Sequence, residues 1–174
     1  MEIVSGYSRK CKSRVSGIKT IWMLKFVKHS KTLIQTSGNF LTKFPETFVY
    51  KFDSLQNPTP VQTMGQNEGG KFYDISVSLT FVGTEIGQLE RLQKSDVRML
   101  TLDNNGIYRI YGLYNGLTAG NITYTTGQSK ADLNGFKIDF TGQEEKEAFF
   151  VLDPFEIGFI NEGFDYYLDF TMYG

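Results

Sequence analysis

Residues 71–82 read KFYDISVSLTFV, and their alternation decides the fold class. Tyr73, Ile75, Val77, Leu79 and Phe81 fall on one parity, Asp74, Ser76, Ser78 and Thr80 on the other. Successive strand residues point to opposite faces, so this period of two describes a strand with one face in a core and one in solvent. Upstream, Ile18 to Val27 is apolar on both parities, with Trp22, Leu24 and Phe26 against Ile21, Met23 and Val27. That pattern predicts a strand buried on both sides. Thr47 to Phe52 is a shorter strand pattern with Phe48, Tyr50 and Phe52 on one face, and residues 37–46 between them look irregular.

Downstream, the chain is punctuated by Asn-Gly pairs. Val97–Leu102, Ile107–Leu113, Ile122–Thr126 and Phe136–Thr141 read as strands, with turn signals at Asn105-Gly106, Asn115-Gly116 and Asn134-Gly135. Asn-Gly supplies the positive φ of two-residue hairpin turns, so the spacing predicts an antiparallel meander. Ala148–Leu152 and Phe164–Met172 complete the strand set. One helix is expected over Thr84–Ser95, capped by Thr84, with Ile86, Leu89 and Leu92 as a narrow apolar stripe. Asp53–Gly70, holding Pro58, Pro60, Gly65, Gly69 and Gly70, reads as a long connection in which Thr59–Met64 could extend as an edge strand.

These patterns make the chain mainly β: an antiparallel β-sandwich or barrel with one short flanking helix, an N-terminal arm and a long mid-chain loop. A length of 174 residues suits one domain. The expected organisation is a basic arm at 1–17, a β domain at 18–153 and an acidic extension at 154–174 ending in a strand.

The net charge of −1 hides an asymmetry. Residues 1–51 hold ten basic and two acidic side chains, whereas residues 52–174 hold eight basic and seventeen acidic ones. Between Asp139 and Gly174 there are nine acids and one Lys. Such a division points to solvated faces on one monomer, or to the basic front of one copy meeting the acidic tail of another.

Reaction chemistry is poorly represented. A single Cys and a single His exclude a disulfide framework and a Cys/His zinc site. Cys11 lies among basic neighbours in the arm, and His29 has no carboxylate near it in sequence. Gly65–Lys71 matches the glycine-and-lysine spacing of a phosphate-binding loop, but Phe72 replaces the hydroxyl that holds magnesium, and a strand pattern follows where a helix is required. Glu144, Glu145 and Glu147 are too close in sequence to flank a sugar as a hydrolytic pair. No apolar run approaches the roughly 20 residues that span a bilayer as a helix. The basic N-terminus lacks the apolar stretch of a secretory signal, so Asn121-Ile122-Thr123 carries no meaning as a glycosylation site. No catalytic residue, metal or cofactor is expected.

Ile107–Val151 contains GLYNGL at residues 112–117, TTG at 125–127 and KADLNGFKIDFTGQEEKEA at 130–148. This stretch resembles tail-tube-like structural proteins of tailed phages and prophages of Bacteroidetes-type bacteria. More loosely, the resemblance takes in the basic arm and the strand Gly17–Trp22. It implies a β-sandwich or barrel whose subunits form rings, commonly hexameric, with inner strands lining a channel and rings stacked through a long loop and terminal arms. The implied partners are further copies of the chain and other virion tail proteins, with DNA as passing, non-specific cargo and no membrane anchor. The implied location is the virion tail, assembled in the bacterial cytoplasm. Interface candidates are Arg9, Lys10, Lys12 and Arg14 in the arm, Gly65, Glu68 and Gly70 in the loop, and Asp165 and Asp169 in the extension. Two alternatives stay open: another tail component (terminator, hub, baseplate or connector), and a β-sandwich carbohydrate-binding module.

If the arm serves stacking, a chain lacking residues 1–16 should fold normally but stack poorly. Normal-length tubes from the truncated chain, seen by electron microscopy, would make the arm irrelevant.

Overall fold

The computed structural model describes residues 16–30, 32–52, 58–82, 90, 92–126 and 134–161. These form β1 (Ile18–Lys25), β2 (Gln35–Ser37), β3 (Phe40–Lys43), β4 (Thr47–Phe52), β5 (Val61–Asn67), β6 (Gly70–Val82), β7 (Val97–Asp103), β8 (Tyr108–Tyr111), β9 (Thr118–Thr125), β10 (Gly135–Glu144), β11 (Phe149–Val151) and β12 (Phe159–Asn161). They build an eight-stranded sheet in the order β12-β4-β1-β7-β8-β11-β3-β2 and a four-stranded sheet in the order β5-β6-β10-β9. The chain is mainly β and antiparallel-rich, with two parallel pairs, β11–β3 and β12–β4. Two stacked sheets make it a sandwich.

Connection length forces the large sheet to curl. β3 is seventh and β4 second in its order. Five strand spacings in a flat sheet cover about 24 Å. Lys43 and Thr47 are joined by four residue steps, which span at most about 14 Å. The two ends of the sheet must therefore bend toward each other. The short linker is then captured by the segment before β12: Phe44 N–H donates to the Ile157 carbonyl at 2.8 Å and Thr47 N–H to that of Gly158 at 2.9 Å. Gly158 is required there, because a Cβ would stand 2.1 Å from the Phe44 carbonyl oxygen and its φ is +125°.

The curl gives β1 and β7 a core on each side, as the apolar run of β1 predicts. Ile21 and Met23 join Val97, Met99 and the inward residues of β6 and β10 (Ile75, Val77, Leu79, Phe81, Phe136, Ile138, Phe140) between the sheets. Trp22 and Leu24 join Leu41, Phe44, Val49, Leu100, Ile110, Phe149 and Phe159 inside the curl. Phe44 stacks on Phe159 with ring centroids 4.8 Å apart, pinning the linker to the strand that captures it.

A turn at residues 112–116 carries the chain from β8 in one sheet to β9 in the other. Arg98, fully buried on β7, donates from Nε to the Leu113 carbonyl at 2.9 Å and from Nη2 to the Val27 carbonyl at 2.8 Å. Its guanidinium lies 4.3 Å from the Phe26 ring centroid and 5.3 Å from that of Phe44. Burial depresses its pKa to about 10, and the Glu144 charge opposes that shift. From the other side, buried Glu144 accepts the backbone N–H groups of Tyr114 and Asn115 through Oε1, each at 2.9 Å. The turn itself needs glycine: Gly112 and Gly116 have φ of +71° and +79°, and a Cβ on Gly116 would meet Phe26 at 2.9 Å.

Several expectations change. Residues 37–46 are not irregular, since β2 and β3 form a hairpin through Gly38 and Asn39. Within the long connection, residues 53–57 lie outside the described set, and the edge strand expected at Thr59–Met64 is present as β5, shifted to Val61–Asn67 and paired with β6 over seven positions. Its Gly and Gln residues lower strand propensity, and pairing with a strong neighbour overrides that. The meander is divided: β7–β8 and β9–β10 are antiparallel neighbours as expected, but the chain changes sheet between them at Asn115-Gly116. Gly135 opens β10 and makes no positive-φ turn; its lack of a Cβ admits the Phe81 carbonyl, which would stand 2.0 Å from one. On β4 the buried residue is Val49, whereas Phe48 and Tyr50 are exposed. Of the expected helix, Glu90, Leu92 and Gln93 are helical; residues 84–89 and 91 lie outside the described set, as do the arm at 1–15 and the strand expected over Phe164–Met172. Residues 154–161, assigned by sequence to the extension, pack into the body through Pro154, Phe159 and β12.

Burial is the main cause raising the Glu144 carboxyl above its ordinary range, opposed by the two backbone N–H groups and by Arg98. A raised folded-state pKa favours the protonated form in the fold. The resulting stabilisation is full below the ordinary carboxyl pKa and is lost as pH rises through the folded value. Urea unfolding should show Glu144→Gln gaining on the wild type between pH 4 and 7, and a gap moving the other way would contradict this. Glu144→Ala should cost about 1–3 kcal/mol at both ends, because two part-buried N–H groups lose their charged acceptor.

Candidate assembly surface

The four-stranded sheet is a symmetric arrangement with two bare margins. Its centre is the ten-position pairing of β6 with β10, from Gly135 opposite Val82 to Glu144 opposite Tyr73. β5 flanks one side and β9 the other. Among the described residues no strand lies beyond either, and on β9 the Gln93 side chain donates to the Gly120 carbonyl at 2.7 Å. A free strand edge offers unpaired backbone N–H and C=O groups to any other strand, and monomeric proteins blunt such edges with charges, prolines or short length. Here β5 is VQTMGQN and β9 is TAGNITYT, seven and eight residues without one charge or proline. Val61 and Met64 on β5, and Tyr124 on β9, are also exposed.

The β5–β6 tip collects three of the interface candidates. Gly65 lies on β5, Glu68 in the turn and Gly70 at the start of β6. Gly65 is a glycine for a packing reason: the Phe72 ring lies over it, and a Cβ would meet that ring at 2.3 Å. Asn67 closes the turn by accepting the Gly69 N–H at 2.9 Å, and Gly70 takes a φ of +122°. The turn runs straight into β6, so the phosphate-loop spacing here belongs to a hairpin tip with no helix after it. The remaining candidates, Arg9, Lys10, Lys12, Arg14, Asp165 and Asp169, lie outside the described residues.

Alternation turns Ile75, Val77, Leu79, Phe136, Ile138 and Phe140 into the sandwich and leaves the other parity outward. The outward face holds Thr63, Ser76, Ser78, Thr118, Thr123, Thr125 and Thr141. Its charged residues, among those described, are Asp74, Asp139 and Lys137. Asp74 accepts from Gln143 at 2.8 Å, Asp139 accepts from Ser78, and Lys137 stands 3.9 Å from Asp139. A shallow trough of about 540 Å³ crosses this face, lined by Val61, Thr63, Asp74, Thr118, Thr141 and Gln143, with no aromatic ring in its wall. The described basic residues of the N-terminal third, Lys19, Lys25, Lys28, Lys43 and Lys51, lie outside the four-stranded sheet.

The groups with reactive potential are engaged in structure. Glu144 faces inward on the turn, while Glu145 and Glu147 are exposed, and Glu147 accepts from Asn39. His29 sits edge-on to Phe44 at 5.5 Å, its pKa lowered by burial and then by the Arg98 charge. Among the described residues, no three His, Cys, Asp or Glu side chains are grouped to hold a metal. Cys11 lies outside them. Sequence reasoning placed β9 too late, at Ile122, because Ala119 and Gly120 are weak strand residues; Thr118 and Ala119 pair with Thr141 and Phe140, and Gly120 falls in the register shift that follows. Comparison with family models, curated proteins and solved structures finds no match for this chain.

If the bare margins are contact surfaces, one charge on either should block association without unfolding the subunit. Met64→Lys and Thr123→Lys should each leave thermal stability within about 0.5 kcal/mol, as exposed substitutions usually do, while sedimentation shows loss of oligomers. Leu33→Lys, an exposed change elsewhere, should leave assembly intact. Unchanged oligomers in both edge variants would remove the margins from the account.

Proposed function

We propose that the protein is a non-enzymatic virion structural protein, a tail-tube subunit whose four-stranded sheet joins edge to edge with identical copies to wall a DNA conduit. The observation that carries the reading is the pair of uncharged, proline-free margins on opposite sides of one sheet. β5 runs antiparallel to β6, β6 to β10, and β10 to β9. The two margins therefore run in opposite directions. When copies are related by rotation about an axis along the strands, β9 of one meets β5 of the next antiparallel, and the alternation continues unbroken. This contact is head-to-tail, so it closes into a ring when the rotation closes.

Size and charge fit the conduit. In the hexamer that the sequence resemblance implies, twenty-four strands about 4.8 Å apart give a circumference of about 115 Å and a diameter near 37 Å before tilt, wider than a DNA duplex. A channel that passes DNA must not hold it, and a cationic wall would do so by releasing counterions. The outward face presents hydroxyls with two Asp against one Lys. The described basic residues of the N-terminal third lie outside the four-stranded sheet, where neighbouring subunits and rings would meet. Other tail proteins are the expected partners at the two ends of such a tube.

Electron microscopy of the purified chain at rising concentration tests this directly. Closed rings, or tubes with a channel wide enough for DNA, are expected; monomers at every concentration would contradict it.

A further inference from the structure

The face of the eight-stranded sheet that carries the four-stranded sheet extends beyond it. Ile21, Thr101, Arg109, Phe150 and Phe40 lie in one row across β1, β7, β8, β11 and β3. The Arg109 guanidinium is 4.6 Å from the Phe150 ring centroid, and Phe150 is 5.6 Å from Phe40, which is exposed. Beside this row opens a cleft of about 530 Å³. Ile18, Pro60 and Ile107 make apolar walls, and Thr101, Tyr111 and Arg109 supply polar groups. Buried Tyr111 stands beside Thr101 and Arg109 in the lining of the cleft. No carboxylate forms an ion pair with Arg109 among the described residues; the nearby Asp103 carboxylate accepts from the Asn105 and Ile107 N–H groups. The cleft thus combines apolar walls, an aromatic approach and the Arg109 guanidinium, with the Asp103 carboxylate, held by two backbone N–H groups, also in its lining; among the described residues no ion pair neutralises Arg109.

The complementary chemistry stands in the sequence itself. Residues 162–174, EGFDYYLDFTMYG, hold three acids, no base and five aromatic residues. They follow Asn161, at the outer strand of the same sheet. We propose, building on the self-assembly reading, that the Arg109 cleft receives the acidic, aromatic segment 162–174 of a second copy, with Asp165 or Asp169 meeting the guanidinium and an aromatic neighbour meeting Phe150. β12 and β8 are first and fifth in the sheet, about 19 Å apart. Thirteen residues reach at most about 43 Å, so length also permits a copy's own segment to arrive. The direct path is obstructed, however, because the four-stranded sheet packs on the face between them, with Phe81 against Phe52 at 6.2 Å. A neighbour avoids that obstacle. The contact would tie one subunit to the next independently of the β5 and β9 margins.

Charge reversal in full-length chains tests the contact and its direction. Arg109→Glu alone, and Asp165→Lys with Asp169→Lys alone, should each raise the concentration needed for higher assembly about tenfold or more, since like charges are brought together. A 1:1 mixture of the two variants should regain wild-type assembly, because each cleft then finds an opposite charge on the other chain. Failure of the mixture, with recovery only when all three changes share one chain, would place the contact within a copy and overturn the proposal. Singles that assemble like wild type would overturn it while leaving the ring reading intact, and a wild type that stays monomeric would defeat both.

Discussion

The turn at residues 112–116 is held from two sides by buried charge, and the architecture depends on it. Here the chain leaves the eight-stranded sheet and enters the other one. Arg98 grips the Leu113 carbonyl, and Glu144 grips the next two N–H groups. Neither charge makes a short ion pair with the other. Each is matched to backbone dipoles, and Arg98 also to two aromatic faces, which compensates part of the desolvation that burial imposes. Among the described residues Arg98 Nη1 has no hydrogen-bond partner, and it lies in that aromatic setting. Because the crossover is fixed, β9 pairs with β10 in the second sheet instead of continuing the β7–β8 hairpin.

A second constraint acts at the other end of the large sheet. The linker at 44–46 is too short for a flat sheet, so the strands curl around Trp22, Leu41, Phe44 and Phe159. Curling draws β3 and β4 together through this linker, while β12 and β2 remain the outer strands of the large sheet. The small sheet has no equivalent. It is assembled from the β5–β6 hairpin and the β9–β10 pair, docked through one face, and its outer strands end in open backbone. The same topology that stabilises the subunit therefore leaves two margins for association, and the even strand number lets them match between copies.

The strands with strong alternation were legible in the sequence. Lys71–Val82 shows its burial period directly, and the two-sided burial of β1 follows from apolar residues on both parities. What the sequence concealed was pairing. β5 is rich in Gln, Thr and Gly, and it becomes a strand only beside β6. The pattern put Phe48, Tyr50 and Phe52 on one face without saying which face is inside, and the structure buries Val49 while Phe48 and Tyr50 stay exposed and Phe52 packs against the core. Arg98 looked like any basic residue, because its burial is produced by Phe26, Phe44 and a carbonyl from a turn fifteen residues away. Of the candidate interface, the glycines and Glu68 at the β5–β6 tip were visible as a loop, whereas the uncharged margin of β9 emerges only from sheet order.

Amide hydrogen exchange at low and high protein concentration tests the central claim most directly, since it reads the strand margins one amide at a time. The outward-facing N–H groups of β5 and β9 should exchange freely in dilute protein and become protected together as concentration rises, while the amides shared by β6 and β10 stay protected throughout. Margins that exchange equally fast at every concentration, in a protein that is otherwise folded, would contradict the account.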